Sequence, residues 1–213
     1  MLAQSLINEK KSYTRPLCII KKMKENLIKY CKSLVDFSEN EISIIKEYFD
    51  TETIKKKDFL LQDNEACDFI AFIANGSIRH YHIRDGVEIT CDITLDNNFL
   101  TEFTSFNNGS KSTILFQALE DTKFQIIKKN KLFELYQINS KFEILGRKIA
   151  EKVAMRNTDI AMSLASSKPE TRYKELLKEK PEIFQRVQQK YIANFLGITP
   201  ESLSRIRKRI LTK

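Results

Sequence analysis

Residues Asp68 to Leu95 read "DFIAFIANGSIRHYHIRDGVEITCDITL". Isoleucine, phenylalanine, tyrosine and threonine crowd into short runs, and Asn75-Gly76 and Asp85-Gly86 punctuate them at about ten-residue spacing. Both dipeptides are tight-turn residues, because Asn, Asp and Gly tolerate the positive φ that a two-residue hairpin needs. The same composition extends from Thr53 to Ile127. Strands this short and this regularly interrupted predict an antiparallel sandwich or β-roll.

Outward from that block the period changes to helical. Between Lys24 and Phe49, the apolar residues Leu27, Ile28, Leu34, Ile42, Ile44, Ile45 and Phe49 alternate with charges, and Ser38 is placed to N-cap the second of two short helices. After Lys128 the helical period returns. From Phe142 to about Leu164 there is no proline and a single glycine, and Ile144, Leu145, Ile149, Val153, Met155, Ile160, Met162 and Leu164 form a stripe along roughly six turns. A helix of that length calls for an equally long partner, and a twofold-related copy of the chain is the economical one, the alternative being that the stripe lies across its own β-roll. "SSKPE" at 166–170 then breaks the helix as a hinge, one more helix runs to about Lys180, and Pro181 turns the chain.

The chain closes with "QKYIANFLGITPESLSRIRKRI", Gln189 to Ile210. Its pattern meets the requirements of a helix-turn-helix. Ala193 stands where two helices cross too closely for a larger side chain, and Gly197 where the turn needs positive φ. Ile192, Leu196, Ile198, Leu203 and Ile206 form the small core between the helices. Thr199 can N-cap the second helix and Pro200 suits its first position. The outward face of that helix carries Glu201, Ser202, Ser204, Arg205 and Lys208. Arg205 can donate two hydrogen bonds to guanine N7 and O6, Glu201 can accept from cytosine N4 or buttress Arg205, and Ser202 suits a phosphate.

Charge agrees with a polyanion partner, and equally with a membrane surface. The net charge of +8 is concentrated at the ends: residues 1–24 hold six Lys/Arg against Glu9, and residues 186–213 hold seven against Glu201, leaving a mildly acidic middle. Four cysteines (Cys18, Cys31, Cys67, Cys91) show no C-x-x-C spacing, so neither a zinc ribbon nor a disulfide framework is indicated. The apolar run Leu17–Ile20 is too short for a signal peptide or a membrane span, which predicts a cytoplasmic protein with no membrane partner. Met23 would make a natural start, so residues 1–22 read as a basic extension outside the fold.

These residues resemble the Crp/Fnr family of bacterial transcription regulators, in the forms common among Bacteroidetes-type members. The resemblance covers nearly everything from about residue 27 onward, in the family's order of sensor roll, dimerisation helix and helix-turn-helix. "QRVQQKYIANFLGITPESLSRIRK" is its most specific part, and Glu201, Ser204 and Arg205 match the E-x-x-S-R arrangement of the Fnr-like branch. The resemblance implies an α+β chain with a cyclic-nucleotide-binding-like, jelly-roll-like sensor at 23–135, a dimerisation helix at 136–166 and a DNA-binding domain at 167–213. It also implies a homodimer on a palindrome with TTGA-like half-sites, with RNA polymerase as a further partner of an activator. The family's β wing after the recognition helix has no counterpart in the few residues that follow Ile210.

The sensor departs from that pattern. Cyclic-nucleotide-binding members hold the ribose with a glutamate and the cyclic phosphate with an arginine ten residues on. In "FLTEFTSFNNGSKSTILFQALED" (99–121) Glu102 is retained, Thr101 replaces the glycine and Ser112 the arginine, while Lys111 would point to the other face of a strand. A cyclic phosphate would lose its main charge-assisted contact, so cyclic AMP is not expected as the effector. The expected effector pocket comprises Phe99, Glu102, Phe103, Lys111 and Ser112, with an apolar effector suggested by Phe99, Phe103, Phe106 and Phe116. Those aromatics also fit a plain core. No cofactor is expected: Cys18 and Cys31 alone do not make an iron–sulfur site, and His80 and His82 share a strand face with no marked axial partner for haem. Two rival readings remain at this level. His80-x-His82 with Glu88 is similar to the metal motif of cupin-type enzymes, though the chain has only two histidines, and a helix-turn-helix can also serve protein or RNA contacts.

Overall fold

The computed structural model describes residues 24–211. Cys18, Met23 and the expected extension at 1–22 lie outside these residues. The chain begins with α1 (residues 24–32) and α2 (Glu39–Tyr48), as the apolar period requires. Ser38 caps α2 in a capping box, with Glu41 N–H on its hydroxyl and Glu41 carboxylate on the Ser38 N–H. Glu41 also accepts from Asn139 Nδ2 at 2.9 Å and Lys141 Nζ at 3.1 Å, which ties α2 to the start of the long helix.

Eight strands follow: β1 (Asp50–Ile54), β2 (Phe59–Leu61), β3 (Phe69–Asn75), β4 (Ile78–Arg84), β5 (Val87–Thr94), β6 (Asn98–Leu100), β7 (Leu115–Ala118) and β8 (Thr122–Lys128). They form two four-stranded antiparallel sheets, ordered β1-β8-β3-β6 and β2-β7-β4-β5. Asp85 and Gly86 both have positive φ, 53° and 76°, which is the primed turn that matches the twist of the β4–β5 hairpin. Gly76 turns β3 into β4 at φ 132°, where a Cβ would lie 2.7 Å from the Cα of Thr122. Leu61, Phe69, Ile73, Ile78, Leu100, Phe116 and Phe124 fill the space between the sheets.

Two helices had no clear periodic signal. The six-residue α3 (Phe103–Asn108) sits between β6 and β7, N-capped by Glu102, whose carboxylate accepts from Thr104 and Ser105 N–H. The short α7 (Ile183–Arg186) follows the turn at Pro181. Both are too brief for a 3.6-residue period to be read.

Helix α4 (Lys129–Ile138) leads into α5 (Ser140–Ser166), 27 residues long. Its apolar stripe divides. Phe142, Leu145 and Ile149 are buried with α1, α2, α4 and the outer face of the first sheet, around Phe72, Phe99 and Ile127. Further along, Met155 is 67% exposed and Met162 60%, and Ile144 and Leu164 are also exposed. Helix α6 (Pro169–Glu179) starts on Pro169 directly after the break at Ser167, and α8 (Gln189–Phe195) and α9 (Pro200–Leu211) complete the chain. No helix among the described residues is long and apolar enough to cross a membrane.

Candidate nucleic-acid interface and sensor cavity

Helices α8 and α9 cross over Ile192, Ala193, Leu196, Leu203 and Ile206, all buried with Tyr173, Leu176, Ile183 and Val187 beneath them. Ala193 has no exposed surface, as the close crossing demands. Gly197 adopts φ 67°. Its N–H donates to Asn194 O and the next N–H, Ile198, to Ala193 O, closing the first helix. The Arg172 guanidinium also covers that C-terminus, donating to Leu196 O at 3.1 Å and 2.7 Å.

Thr199 Oγ1 accepts from Ser202 N–H at 3.2 Å and caps α9. Glu201, Ser204, Arg205 and Lys208 are exposed and Ser202 is half-buried, so the residues read as base and phosphate contacts share the outward face. Arg205 Nη2 donates to Ser202 Oγ at 3.1 Å, so the serine, rather than Glu201, is its hydrogen-bonded neighbour. The Glu201 carboxyl is held below its ordinary range by its own backbone N–H and the Thr199 hydroxyl, with a smaller contribution from the Arg205 charge. It therefore stays an acceptor at neutral pH.

The helix-turn-helix is fastened to the roll by groups that sequence reading missed. Arg186 donates to Asp96 at 2.8 Å, to Glu120 at 2.7 Å and to the Gly76 carbonyl at 2.9 Å. Asn194 works as a one-residue strand against the free edge of β5: its Oδ1 accepts from Thr90 N–H and its Nδ2 donates to Glu88 O at 3.1 Å. Arg79, 2% exposed, lies between the rings of Tyr81 and Tyr191, each 4.3 Å away, and pairs with Glu88 at 2.6 Å. Arg186, Tyr191 and Asn194 lie within the terminal helix-turn-helix segment, but nothing local there assigns them to the roll. Their partners are more than a hundred positions away for Asn194 and Tyr191, and no spacing rule reaches that far.

A second site lies between the roll and α5, in a cavity of about 580 Å³. Phe99, Glu102 and Phe103 of the expected pocket line it, whereas Lys111 and Ser112 do not. Ser112 is turned into its own loop: its hydroxyl is shared with the backbone of Ile114 at 2.9 Å in both directions, and its N–H goes to Glu65 O. Lys111 is exposed. The cationic group at the cavity is instead Arg156, from α5. It is already matched to Asp92 on β5 at 2.6 Å and also reaches the Ile93 carbonyl and Thr94 Oγ1. Burial alone would raise the Asp92 carboxyl, but Arg156, His80 and Lys180 together hold it below the ordinary range.

The two histidines sit on this cavity as well. His80 Nε2 is 2.9 Å from Thr94 Oγ1, and burial pushes its imidazole down to about 4, so it is neutral at physiological pH. His82 Nδ1 lies 3.2 Å from Cys91 Sγ. Glu88 is drawn to Arg79 instead, and among the described residues no three His, Cys, Asp or Glu side chains come together as a metal site. Cys31 and Cys67 are buried free thiols, and burial pushes Cys31 up to about 12.

No protein-family model and no curated protein sequence matches the chain. Solved structures do. FixK2 from Bradyrhizobium japonicum superposes with a TM-score of 0.64 at 18% identity, covering 77% of this chain and 85% of that one. CLP of Xanthomonas campestris, a c-di-GMP responsive global regulator, gives 0.62 at 15% identity, covering 82% and 92%. A chain from Eubacterium rectale described as a transcriptional regulator of the crp/fnr family gives 0.61 at 17% identity, covering 83% and 85%. The likeness is one of fold, and it extends over roll, long helix and terminal helices together.

Proposed function

We propose that this chain, which carries the Crp/Fnr fold from roll to terminal helices, is a cytoplasmic, non-enzymatic transcription regulator that binds a palindromic operator as a homodimer. The observation that carries the reading is the α8–α9 pair. Ala193 and Gly197 stand at the two positions a helix-turn-helix constrains, and Thr199, Glu201, Ser202, Ser204, Arg205 and Lys208 stand together on or beside the outward face of α9. The exposed methionines of α5 supply an apolar face for the partner copy. Two recognition helices about 34 Å apart would then enter successive major grooves.

Control lies in the roll. The Asp92–Arg156 pair joins β5 to α5, so an effector that disturbs it shifts the helix on which the DNA-binding unit hangs. Cyclic AMP is a poor candidate, because Ser112 offers no charge and Arg156 is engaged by Asp92. In an activator of this type RNA polymerase is the further partner.

Selection of sites from a random duplex library, with and without cyclic AMP, tests the reading. A palindrome enriched in both arms is expected. Enrichment only with the nucleotide would overturn the exclusion of cyclic AMP, and no preference in either arm, with a parallel random RNA library enriched instead, would overturn the assignment to DNA.

A further inference from the structure

Beside the Arg156 cavity lies a second, smaller one of about 230 Å³, between α3 of the roll and the first half of α5. Phe99, Phe106, Leu132, Ile149 and Val153 form its walls. Phe103 and Phe133, 48% and 50% exposed, stand at its mouth. It shares Phe99, Leu100, Thr101, Phe103 and Val153 with its larger neighbour but none of that neighbour's histidine, cysteine, aspartate or glutamate side chains.

Protein interiors leave few spaces larger than a water molecule, because unfilled volume forfeits dispersion contacts. Apolar spaces favour apolar occupants, and an enclosed one of about 150 Å³ already accepts benzene. The polar groups here are few and mostly engaged. Thr101 donates its hydroxyl to the Phe69 carbonyl at 2.8 Å, and Arg147 pairs with Glu151 at 2.5 Å. Arg147, the one charged residue of the lining, keeps 61% of its side chain exposed, so the walls themselves are apolar. Asn107 and the Tyr136 hydroxyl leave room for a single polar group.

We infer that this cavity is a binding site for a small, neutral, apolar molecule of one or two rings carrying at most one polar group. The site deepens the reading of the roll as a sensor. Val153, in its wall, stands one helical turn before Arg156 on α5, so filling the cavity loads the same helix that the Asp92 pair holds.

1-Naphthol is a suitable probe, since the chain has no tryptophan to interfere with its fluorescence. Titration of the full chain without DNA keeps failure of this site distinct from failure of DNA recognition. Saturable binding of one probe per chain is expected, with Ala150→Phe, which fills the cavity from α5, weakening it about tenfold or more, and Asn157→Ala, in the neighbouring cavity, leaving it unchanged. In the unmodified protein, magnetisation transfer from probe protons should reach the methyl groups of Leu132, Ile149 and Val153. That measurement decides alone should Ala150→Phe not fold. Non-saturable binding, equal binding by a folded Ala150→Phe chain, or contacts confined to Ile89 and Ile160 of the larger cavity would each overturn the site.

Discussion

At the scale of single residues, geometry separates positions that look alike in the sequence. Gly76 and Gly197 both have positive φ, yet a Cβ on Gly197 would meet nothing closer than 3.5 Å, whereas on Gly76 it would strike Thr122 side chain and backbone. Gly197→Ala should therefore cost only the left-handed backbone term, about 1–2 kcal/mol in urea unfolding, and Gly76→Ala clearly more. Arg205→Ala is expected to cost roughly 1–3 kcal/mol on the selected operator and to relax preference at one base pair, measured against duplexes varied at that pair. Equal weakening on every duplex would make Arg205 a phosphate contact. His80 sets a pH dependence. Its folded value lies below its unfolded one, so the stability it contributes is present above the unfolded value and is lost as pH falls from 6.5 toward about 4. Asp92, also depressed, loses its contribution in the same direction. Unfolding followed across that range should show a loss of the order of 3 kcal/mol from the histidine, diminished in His80→Gln.

At the scale of elements, α5 is one helix with two tasks. Its first half is an interior helix, and its second half presents Met155 and Met162 to solvent beside Ala154, Thr158, Ala161 and Ala165, also exposed. Helical periodicity made the whole stripe legible and could not divide it, because the division depends on where the roll ends beneath the helix. Met155→Glu with Met162→Glu should give a folded monomer in sedimentation, with the circular dichroism of the parent chain. A dimer of undiminished stability would place the interface elsewhere. The β4–β5 hairpin and the α8–α9 pair were legible for another reason: their turns demand Asp85-Gly86 and Gly197 at fixed offsets. Helices α3 and α7 carried no such signal, being held by a glutamate cap in one case and by packing of Ile183 in the other.

For the whole molecule, the decisive contacts are those that lock the helix-turn-helix to its own roll. Arg186 neutralises Asp96 and Glu120 together, and removing it leaves two carboxylates facing each other across a half-buried space. Arg186→Met combined with Asn194→Ala should cost about 3 kcal/mol and split a single calorimetric transition into two, as roll and helix-turn-helix uncouple. A single transition would mean that the Ile93, Leu95 and Leu119 contacts hold the units without these polar ties. The order of roll, long helix and helix-turn-helix was settled by sequence alone, because strand alternation, helical period and turn chemistry are local and each leaves its mark within about a dozen residues. The outward placement of Glu201, Ser204, Arg205 and Lys208 on α9 was legible for the same reason. The Asp92–Arg156 pair, the Arg79–Tyr191 stack, the Asn194 edge contact and the displacement of Ser112 from the expected pocket were decided only by tertiary structure. Each depends on which strands become neighbours and which edge is left open, and long-range pairing of that kind has no period to betray it.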